Sequence, residues 1–264
     1  MNPNESINVA MVLAAGLGTR IGSQSLGIPK PLIKVAGVEL IEYTLKNAIS
    51  YGVDKIIINT YFKPEMIEDY LENRKINLQR KYSTKNSSDP IIETVRESKR
   101  LETGGGVRNV LPKIGINPFF VMNSDSIFYP NRENPLERLA LSWDDSCMDG
   151  LLLICPRHLV TGYDGKGDFT LRESKNKKCY DEWAVKEVYR DNSQNSFVFT
   201  GVQILHPRLF RQAPMGKYSL NLHYDEAIDQ NRLFAVICPT PWYHVGNMKS
   251  LHETERDLVG CIKL

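Results

Sequence analysis

The stretch INVAMVLAAGLGTR, residues 7–20, places a short apolar run directly before a loop of small residues and glycines. The apolar run predicts a buried strand, and the glycines allow backbone N–H groups to approach a phosphate closely. Arg20 at the end of the loop offers a planar fork for phosphate oxygens. An ordinary tight turn after a buried strand accounts for the glycines equally well. Neither G-x-G-x-x-G nor a loop ending in GK[ST] is present, which disfavours a dehydrogenase and a P-loop NTPase.

Outward from this stretch, strand and helix signals alternate along the first two-thirds of the chain. The segment 38–51 has Ile41, Leu45 and Ala48 at helical spacing, and Pro64 is placed to begin a second helix. Further strands are predicted at 55–59, at 118–122 and, more weakly, at 77–83, with a further helix from Gly106. This alternation predicts an α/β fold with a Rossmann-like, doubly wound and mostly parallel sheet.

The pattern changes after about Asp149. Strand-like runs appear at 150–155, 167–172, 183–189 and 197–205, and short helices are predicted at 207–212, 220–230 and 247–259. We expect these extra strands to extend one edge of the first sheet. Because no Pro- or Ser-rich linker interrupts the chain, residues 1–264 are expected to form one domain with two parts, about 1–148 and 149–264. The polar residues 84–100 are expected to form a mobile surface excursion.

Composition excludes several classes of protein. The 264 residues carry 33 Lys and Arg against 31 Asp and Glu, and no basic cluster suggests a nucleic-acid partner. No apolar run approaches about 18 residues, so we expect neither a membrane span nor a membrane partner. The N-terminus lacks a basic region before its apolar run, so a first strand is predicted there and not a signal peptide. Five cysteines without a C-x-x-C pair indicate reduced thiols, no zinc site and a cytoplasmic protein.

Three further motifs place polar groups where ligands commonly bind. Lys30 lies between two prolines that restrict its backbone. The sequence LETGGG at 101–106 predicts either a backbone surface for a flat ring or a helix start capped by Thr103. Asp125, in the sequence NSD, follows a predicted buried strand. A carboxylate at that sheet edge suits Mg²⁺, and a simple turn is the alternative explanation.

The sequences LAAGLGTR at 13–20 and PKPLIKVAG at 29–37 together resemble the signature of sugar-1-phosphate nucleotidyltransferases. Two later stretches, GDFTL at 167–171 and FTGVQILHPRLF at 199–210, resemble the subgroup that acts on N-acetylmuramate 1-phosphate or mannose 1-phosphate. The resemblance covers nearly the whole chain. Relative to compact family members, residues 85–98 look like an insertion.

The resemblance implies a role for each motif. Arg20 would bind the leaving pyrophosphate, Lys30 would lie against the phosphates near the reacting phosphorus, and Asp125 would be a metal ligand. The implied nucleotide-binding residues are Ala14, Ala15, Gly16, Gly18, Thr19, Glu102, Thr103, Gly104, Gly105 and Asn123. The implied sugar-phosphate-binding residues are Gly167, Asp168, Gly201 and Lys186. Lys186 is the nearest candidate for a second phosphate-binding lysine of the family, although a solvated strand lysine is the simpler explanation.

Two motifs depart from the family pattern. Ser124 stands where the family has the Gly of N-G-D, and His244 and Asn247 stand where it has the Asp and Thr of W-x-D-V-G-T-P. That Asp is the family's second metal ligand, whereas a neutral His suits Mn²⁺ or another softer divalent ion better than Mg²⁺. Three interpretations of His244 stay open: a ligand of such a metal, a cation that contacts phosphate, or a sign of a site without turnover.

The implied activity is metal-dependent transfer of a nucleotidyl group from an NTP to a sugar 1-phosphate, with release of pyrophosphate. UTP or GTP is the expected nucleotide, and Mg²⁺ or Mn²⁺ is the expected cofactor. The part at 1–148 would bind the nucleotide and the part at 149–264 the sugar phosphate. The alternatives are a nucleotide-binding regulator without turnover and a transferase for a non-sugar phosphate such as phosphocholine or a polyol phosphate. The motifs specify neither the base nor the sugar, and they carry no signal for an oligomeric state.

Overall fold

The computed structural model describes residues 7–83, 89–129, 133–172, 185–190 and 197–262. The strands are β1 (Val9–Leu13), β2 (Lys34–Val35), β3 (Val38–Glu39), β4 (Lys55–Thr60), β5 (Ile91–Arg96), β6 (Phe119–Asn123), β7 (Ser126–Phe128), β8 (Gly150–Pro156), β9 (Val160–Thr161), β10 (Thr170–Arg172), β11 (Lys186–Tyr189), β12 (Phe197–Leu205), β13 (Leu233–Ile237) and β14 (Trp242–His244). The helices are α1 (Ser23–Leu26), α2 (Leu40–Tyr51), α3 (Pro64–Tyr82), α4 (Glu102–Ile114), α5 (Pro135–Ser142), α6 (Asn221–Asp229) and α7 (Met248–Ile262). Short 3-10 turns cover Thr19–Ile21, Lys30–Leu32, Arg157–Leu159 and Pro207–Phe210.

One large sheet organises these elements, in the strand order β10-β11-β13-β8-β12-β6-β1-β4-β5. β1 pairs in parallel with β4 on one side and β6 on the other, and β4 pairs in parallel with β5. β12 joins β6 in antiparallel orientation, and β8, β13, β11 and β10 follow it to the far edge. The predicted α/β fold, with a parallel sheet and extra C-terminal strands on one edge, is confirmed.

Helices cover both faces of this sheet. On one face, Ala10 and Val12 of β1 pack into a cluster with apolar side chains of α2, α3 and α5. On the other face, Met11 packs into a cluster with side chains of α4 and α6. Successive side chains of a strand point to opposite faces, so a continuous apolar run is buried on both sides. This is the doubly wound arrangement expected from the sequence.

The weak strand predicted at 77–83 is wrong, because α3 continues to Tyr82. Leu78 is buried in the same cluster as Ile67 and Leu71, which extends one helical face over the whole element. The Tyr82 hydroxyl donates to Oε1 of Glu42 on α2 at 2.8 Å. These contacts between α2 and α3 outweigh the strand-like local composition.

The expectation of a surface excursion at 84–100 is wrong for 91–96, which form the edge strand β5. Residues 84–88 lie outside the described residues. Charged side chains obscured the strand, since Glu93 pairs with Lys55 at 3.0 Å and Arg96 pairs with Glu68. The sequence pattern also did not predict β13, which lies between β11 and β8.

A small second sheet, in the order β7-β14-β9, lies beside the end of β6. Ser126 is paired with His244 in the antiparallel β7–β14 ladder. This register brings His244 level with the residue that follows Asp125, although the two motifs are far apart in the chain. At the start of α7, Ser250 N–H donates to Oδ1 of Asn247 at 2.9 Å, which is the N-cap geometry expected from the sequence.

The expectation that every cysteine is a reduced thiol holds for two of the cysteines that the structure describes and not for a third. Cys155 and Cys238 are buried free thiols, whereas Cys147 is in a disulfide.

Among the described residues, no helix combines the length and apolarity that crossing a membrane would require.

Candidate active site

A cleft of about 490 Å³ opens at the carboxyl ends of β1, β4 and β6. Open α/β sheets bind their ligands at this edge. Ten residues predicted from sequence line it: Ala15, Gly16, Gly18, Thr19, Arg20, Lys30, Glu102, Thr103, Asn123 and Asp125. The rest of its lining is Leu13, Leu17, Pro31, Asn59, Arg100, Ser124, Ser219 and Gly246. The glycine loop, the two basic residues and the acidic residue therefore share one cavity.

Gly18 lets the loop after β1 fold tightly against the segment that carries Lys30. Its φ of 59° lies in the left-handed region, which favours glycine. A Cβ at Gly18 would lie 2.6 Å from Cβ of Ser23 and 2.8 Å from Cβ of Lys30. Any side chain at this position would therefore push Lys30 away from the cleft.

Lys30 and Asp125 form an ion pair across the cleft. The exposed fractions of the two side chains are 14% and 18%, so most of the pair is shielded from water. Burial alone would raise the pKa of Asp125, but the charge of Lys30 and its hydrogen bond outweigh burial and hold this pKa below its ordinary value. Asp125 is therefore an ionised carboxylate at neutral pH, with its charge balanced by Lys30.

His244 lies behind the cleft lining and is mostly buried. Its ring centroid is 5.7 Å from that of Trp242 and 6.3 Å from that of Tyr163. Burial lowers the pKa of His244, the Asp125 carboxylate opposes this, and the charges of Lys30 and Arg20 lower it further. The imidazole is therefore neutral at neutral pH, which argues against its acting as a cation towards phosphate.

The groups near Asp125 fit a divalent ion that substrate phosphates help to hold. In the described parts of the chain, no three His, Cys, Asp or Glu side chains cluster as a complete metal site. Mg²⁺ is commonly held by one or two carboxylates together with substrate phosphates, and the Asp125 carboxylate in a cleft that also contains Arg20 and Lys30 fits that pattern. The neutral His244 on the neighbouring strand could add a nitrogen donor, which Mn²⁺ accepts better than Mg²⁺.

The glycines of LETGGG have a different structural role from the predicted one. α4 begins at Glu102, so the three glycines lie inside its first two turns. Gly104 and Gly105 do not line the cleft. Their N–H groups both donate to the Tyr218 carbonyl, at 3.0 and 3.1 Å. A Cβ on Gly104 would overlap the Tyr218 ring, and one on Gly105 would overlap the Gly216 carbonyl. Glycine is needed there for the approach of another segment of the chain.

That segment, residues 216–220, forms one wall of the cleft and presents Ser219 to it. Tyr218 N–H donates to the Leu101 carbonyl at 3.1 Å. Leu220 N–H donates to Oγ1 of Thr103 at 2.9 Å, so Thr103 fixes this segment and does not cap α4. The C-terminal part of the chain thus contributes directly to the predicted nucleotide cleft.

Asp168 and Gly201, which were predicted on the sugar side, lie next to this cleft without lining it. Asp168 Oδ2 accepts from Phe199 N–H at 2.9 Å, and its Oδ1 accepts from the Tyr163 hydroxyl at 3.3 Å. Gly201 has a φ of 79°, and a side chain there would overlap the Asn123 side chain. Gly201 therefore packs against a residue of the cleft lining, whereas the hydrogen bonds of Asp168 hold it to Phe199 and Tyr163.

Three other predicted residues lie away from the cleft lining. Ala14 is buried beneath the glycine loop, and Gly167 adopts a φ of 92° in the turn before β10. Lys186 is on β11, which three strands separate from β6. Sequence reasoning also missed cleft residues. Asn59 follows the same rule as Asn123, a polar residue at the carboxyl end of a parallel strand, whereas no local pattern marks Ser219.

The nucleotidyl transferase family model matches residues 9–163, which is more than half of the chain. N-acetylmuramate alpha-1-phosphate uridylyltransferase of Caulobacter vibrioides is 28% identical over 255 residues, covering 97% of this chain and 98% of that protein. Mannose-1-phosphate guanylyltransferase of Mycobacterium tuberculosis is 32% identical over 117 residues, covering 44% of this chain and 29% of that protein.

Solved structures share the fold. A UDP-glucose pyrophosphorylase in complex with UDP-glucose superposes with a TM-score of 0.77 at 17% identity, covering 97% of this chain and 100% of that chain. The family match, the curated relatives and the shared fold agree with the motifs quoted from the sequence. The chain therefore belongs to the nucleotidyl transferase family, among the sugar-1-phosphate nucleotidyltransferases.

Proposed function

We propose that this protein joins an NTP to a sugar 1-phosphate in a metal-dependent reaction. A phosphate oxygen of the sugar 1-phosphate attacks the α-phosphorus of the NTP, and the bond to the β-phosphate breaks, so that an NDP-sugar and pyrophosphate are formed. The observation that carries this proposal is the single cleft that contains the glycine loop, Arg20, Lys30 and Asp125. The attacking oxygen is already anionic, so catalysis requires positioning and charge neutralisation and no general base.

The residues of the cleft divide this work by charge. The Arg20 guanidinium, exposed at the end of the glycine loop, would bind the pyrophosphate that leaves. Lys30 would neutralise charge around the reacting phosphate. Because Lys30 is paired with Asp125, a bound phosphate would compete with that carboxylate for the ammonium group.

Asp125 would hold the divalent ion, with His244 as a second donor. The ion would add positive charge between the two substrates, which bring several negative charges into the cleft. A neutral His in place of a carboxylate supports activity with Mn²⁺ as well as Mg²⁺. Asn123, two positions before Asp125 and lining the cleft, would contact the nucleotide.

The two halves of the chain would bind different substrates. Residues 1–148 supply the glycine loop and the start of α4, and we assign the nucleotide to them. Residues 149–264 would bind the sugar phosphate, with Asp168 and Gly201 beside the cleft. UTP and GTP are the favoured nucleotides because the relatives include a uridylyltransferase and a guanylyltransferase. A cytoplasmic location stays a prediction from composition.

A second candidate function is a nucleotide-binding regulator without turnover. The observation that favours it is His244, a neutral imidazole where the family pattern has a carboxylate. Ser124 and Asn247 are further departures in the same two motifs. The two candidates differ in one respect that can be measured, the release of pyrophosphate.

The test is pyrophosphate release by the purified protein with each NTP, a panel of sugar 1-phosphates, and Mg²⁺ or Mn²⁺. Phosphocholine and a polyol phosphate in the panel test the alternative acceptors. Asp125→Asn should abolish release, whereas Asp54→Asn, at the opposite end of β4, should not. A wild-type protein that releases no pyrophosphate with any combination rejects the transferase. Nucleotide binding by calorimetry without release, together with turnover restored by His244→Asp, supports the regulator.

A further inference from the structure

Two buried polar side chains, Asn59 and Glu97, lie at and beneath the floor of the cleft. Asn59 is near the carboxyl end of β4, and Glu97 directly follows β5. Their exposed fractions are 1% and 7%. A buried carboxylate is costly unless its oxygens are hydrogen-bonded, so its partners indicate what it does.

The hydrogen bonds of these two side chains form one continuous chain. Ala14 N–H donates to Asn59 Oδ1 at 2.9 Å. Asn59 Nδ2 donates to Glu97 Oε1 at 2.7 Å, and Leu101 N–H donates to Glu97 Oε2 at 3.0 Å. The donors and acceptors allow only this orientation of the Asn59 amide, since its oxygen faces an N–H group and its nitrogen faces a carboxylate.

The two ends of this chain lie directly before two segments of the cleft lining, which begin at Ala15 and at Glu102. Ala14 begins the glycine loop, and Leu101 immediately precedes α4. The Leu101 carbonyl in turn accepts from Tyr218 N–H, which extends the connection to the wall that carries Ser219. The Asn59–Glu97 pair therefore links the glycine loop, the start of α4 and the 216–220 segment.

The third glycine of LETGGG supports this interpretation. A Cβ on Gly106 would lie 2.8 Å from Asn59 Nδ2 and 3.0 Å from Glu97 Oε1. Glycine at this position lets α4 pack directly on the hydrogen-bonded pair. The pair is thus accommodated by the helix that it helps to position.

We propose that Asn59 and Glu97 are positioning residues that set the separation of the glycine loop from the start of α4, and so determine nucleotide affinity. This inference rests on the proposed function. Burial raises the pKa of Glu97, and the hydrogen bonds from Leu101 and Asn59 oppose this shift. The Asn59 oxygen can accept from Ala14, and a Glu97 oxygen can accept from Leu101, only while the Asn59 nitrogen donates to Glu97.

Exchanging the amide and the carboxylate between positions 59 and 97 tests the proposal. In Glu97→Gln, the new amide nitrogen must face either the Asn59 amide nitrogen or the Leu101 N–H group, so one hydrogen bond is lost. In Asn59→Asp, two carboxylates face each other. In the double variant N59D/E97Q, the carboxylate at position 59 accepts from Ala14 and from the amide nitrogen at position 97, whose amide oxygen accepts from Leu101. All three hydrogen bonds are restored with one of them reversed, and the total charge is unchanged.

The measurements are KM and kcat with UTP and with GTP, the Kd of each nucleotide by calorimetry, and hydrogen exchange of the Ala14 and Leu101 amides. Each single variant should raise the KM for nucleotide about tenfold, the effect of about one hydrogen bond, with a smaller change in kcat. The double variant should return to within about threefold of the wild-type KM and recover amide protection. The matched control E72Q/N73D, on the exposed face of α3, should change neither quantity.

Several outcomes would overturn the inference. Single variants with lower melting temperatures and wild-type KM values would make the pair merely structural, and a double variant no better than the single ones would exclude the hydrogen-bond chain. If the single variants do not fold, Gly106→Ala and the double variant N59D/E97Q test the inference instead. We then expect a raised KM for Gly106→Ala and a KM close to that of the wild type for the double variant. If the wild-type protein binds no NTP, the proposed function is refuted. If the wild-type protein is active and the single variants keep its KM, only this inference is refuted.

Discussion

Replacing Lys30 by Met is expected both to destabilise the protein and to slow turnover. Met keeps most of the length of the side chain and removes its charge. Lys30 is the ion-pair partner of Asp125, and both side chains are more than four-fifths shielded from solvent. The substitution therefore leaves a largely buried carboxylate without its counter-charge.

The size of the effect follows from this burial. Removing one partner of a fully buried ion pair costs about 3–5 kcal/mol. Since both groups keep some contact with solvent, we expect about 2 kcal/mol here. For a chain of this length that corresponds to a fall in Tm of about 4–8 °C. Loss of a charge that stabilises the transition state should lower kcat about 10²–10³-fold.

The assay is urea unfolding and thermal melting in EDTA, with pyrophosphate release measured separately. Lys30→Met combined with Asp125→Asn should recover most of the stability without recovering activity, because no buried charge then remains unpaired. Lys34→Met is the matched control, since Lys34 is 60% exposed and lies in the same segment. A Lys30→Met protein as stable as the wild type, or a double variant no more stable than Lys30→Met, would refute the reasoning.

Three further predictions concern the ion pairs of Asp149 and the two glycines Gly105 and Gly16. Asp149 accepts from Arg208 Nε at 2.6 Å and from Arg232 at 2.9 Å, and Asp149→Asn should cost about 2–3 kcal/mol in urea unfolding. Burial raises the pKa of Asp149, but the two arginines outweigh burial and hold this pKa below its ordinary value. The stability that these ion pairs add is therefore present above the ordinary aspartate pKa, and it is lost as the pH falls through the folded-state pKa. Gly105→Ala should lower Tm and weaken UTP binding in calorimetry, because its Cβ would overlap a carbonyl of the neighbouring wall. Gly16→Ala has no atom within 4 Å of the new Cβ, so Tm should stay constant while UTP affinity falls about tenfold, since the methyl group takes space close to the phosphates.

Each of these has a control or a contrary result. Asp225→Asn, in an ion pair whose carboxylate is 57% exposed, should leave urea unfolding unchanged. A difference between Asp149→Asn and wild type that persists undiminished as the pH falls through the acid range would show that ionisation of Asp149 is not the source of the stability. A Gly105→Ala protein with wild-type Tm would mean that the 216–220 segment does not pack on α4. Wild-type UTP affinity in Gly16→Ala would place the triphosphate away from the glycine loop.

Much of the fold follows from local sequence. The helix face containing Ile41 and Leu45 recurs at the helical period, and the short continuous apolar runs at 7–13 and before Asn123 have the length of buried strands. Errors arose where tertiary contacts outweighed local composition. The strand at 91–96 was missed because its charged residues pair with other elements, and the end of α3 is held by Glu42 of α2.

Local sequence patterns predict the fold class, and the resemblance to sugar-1-phosphate nucleotidyltransferases predicts that Arg20, Lys30 and Asp125 act together. Their shared cleft lies where the carboxyl ends of the parallel strands converge. Three features appear only in the folded chain. Ser219 lines the cleft, Asn59 and Glu97 connect the start of the glycine loop to the start of α4, and His244 lies beside the Asp125 turn through the pairing of β7 with β14. The physical reason is that these hydrogen bonds join residues distant in the chain, such as Leu220 and Thr103 at a separation of 117 positions, and no local period records a distant partner.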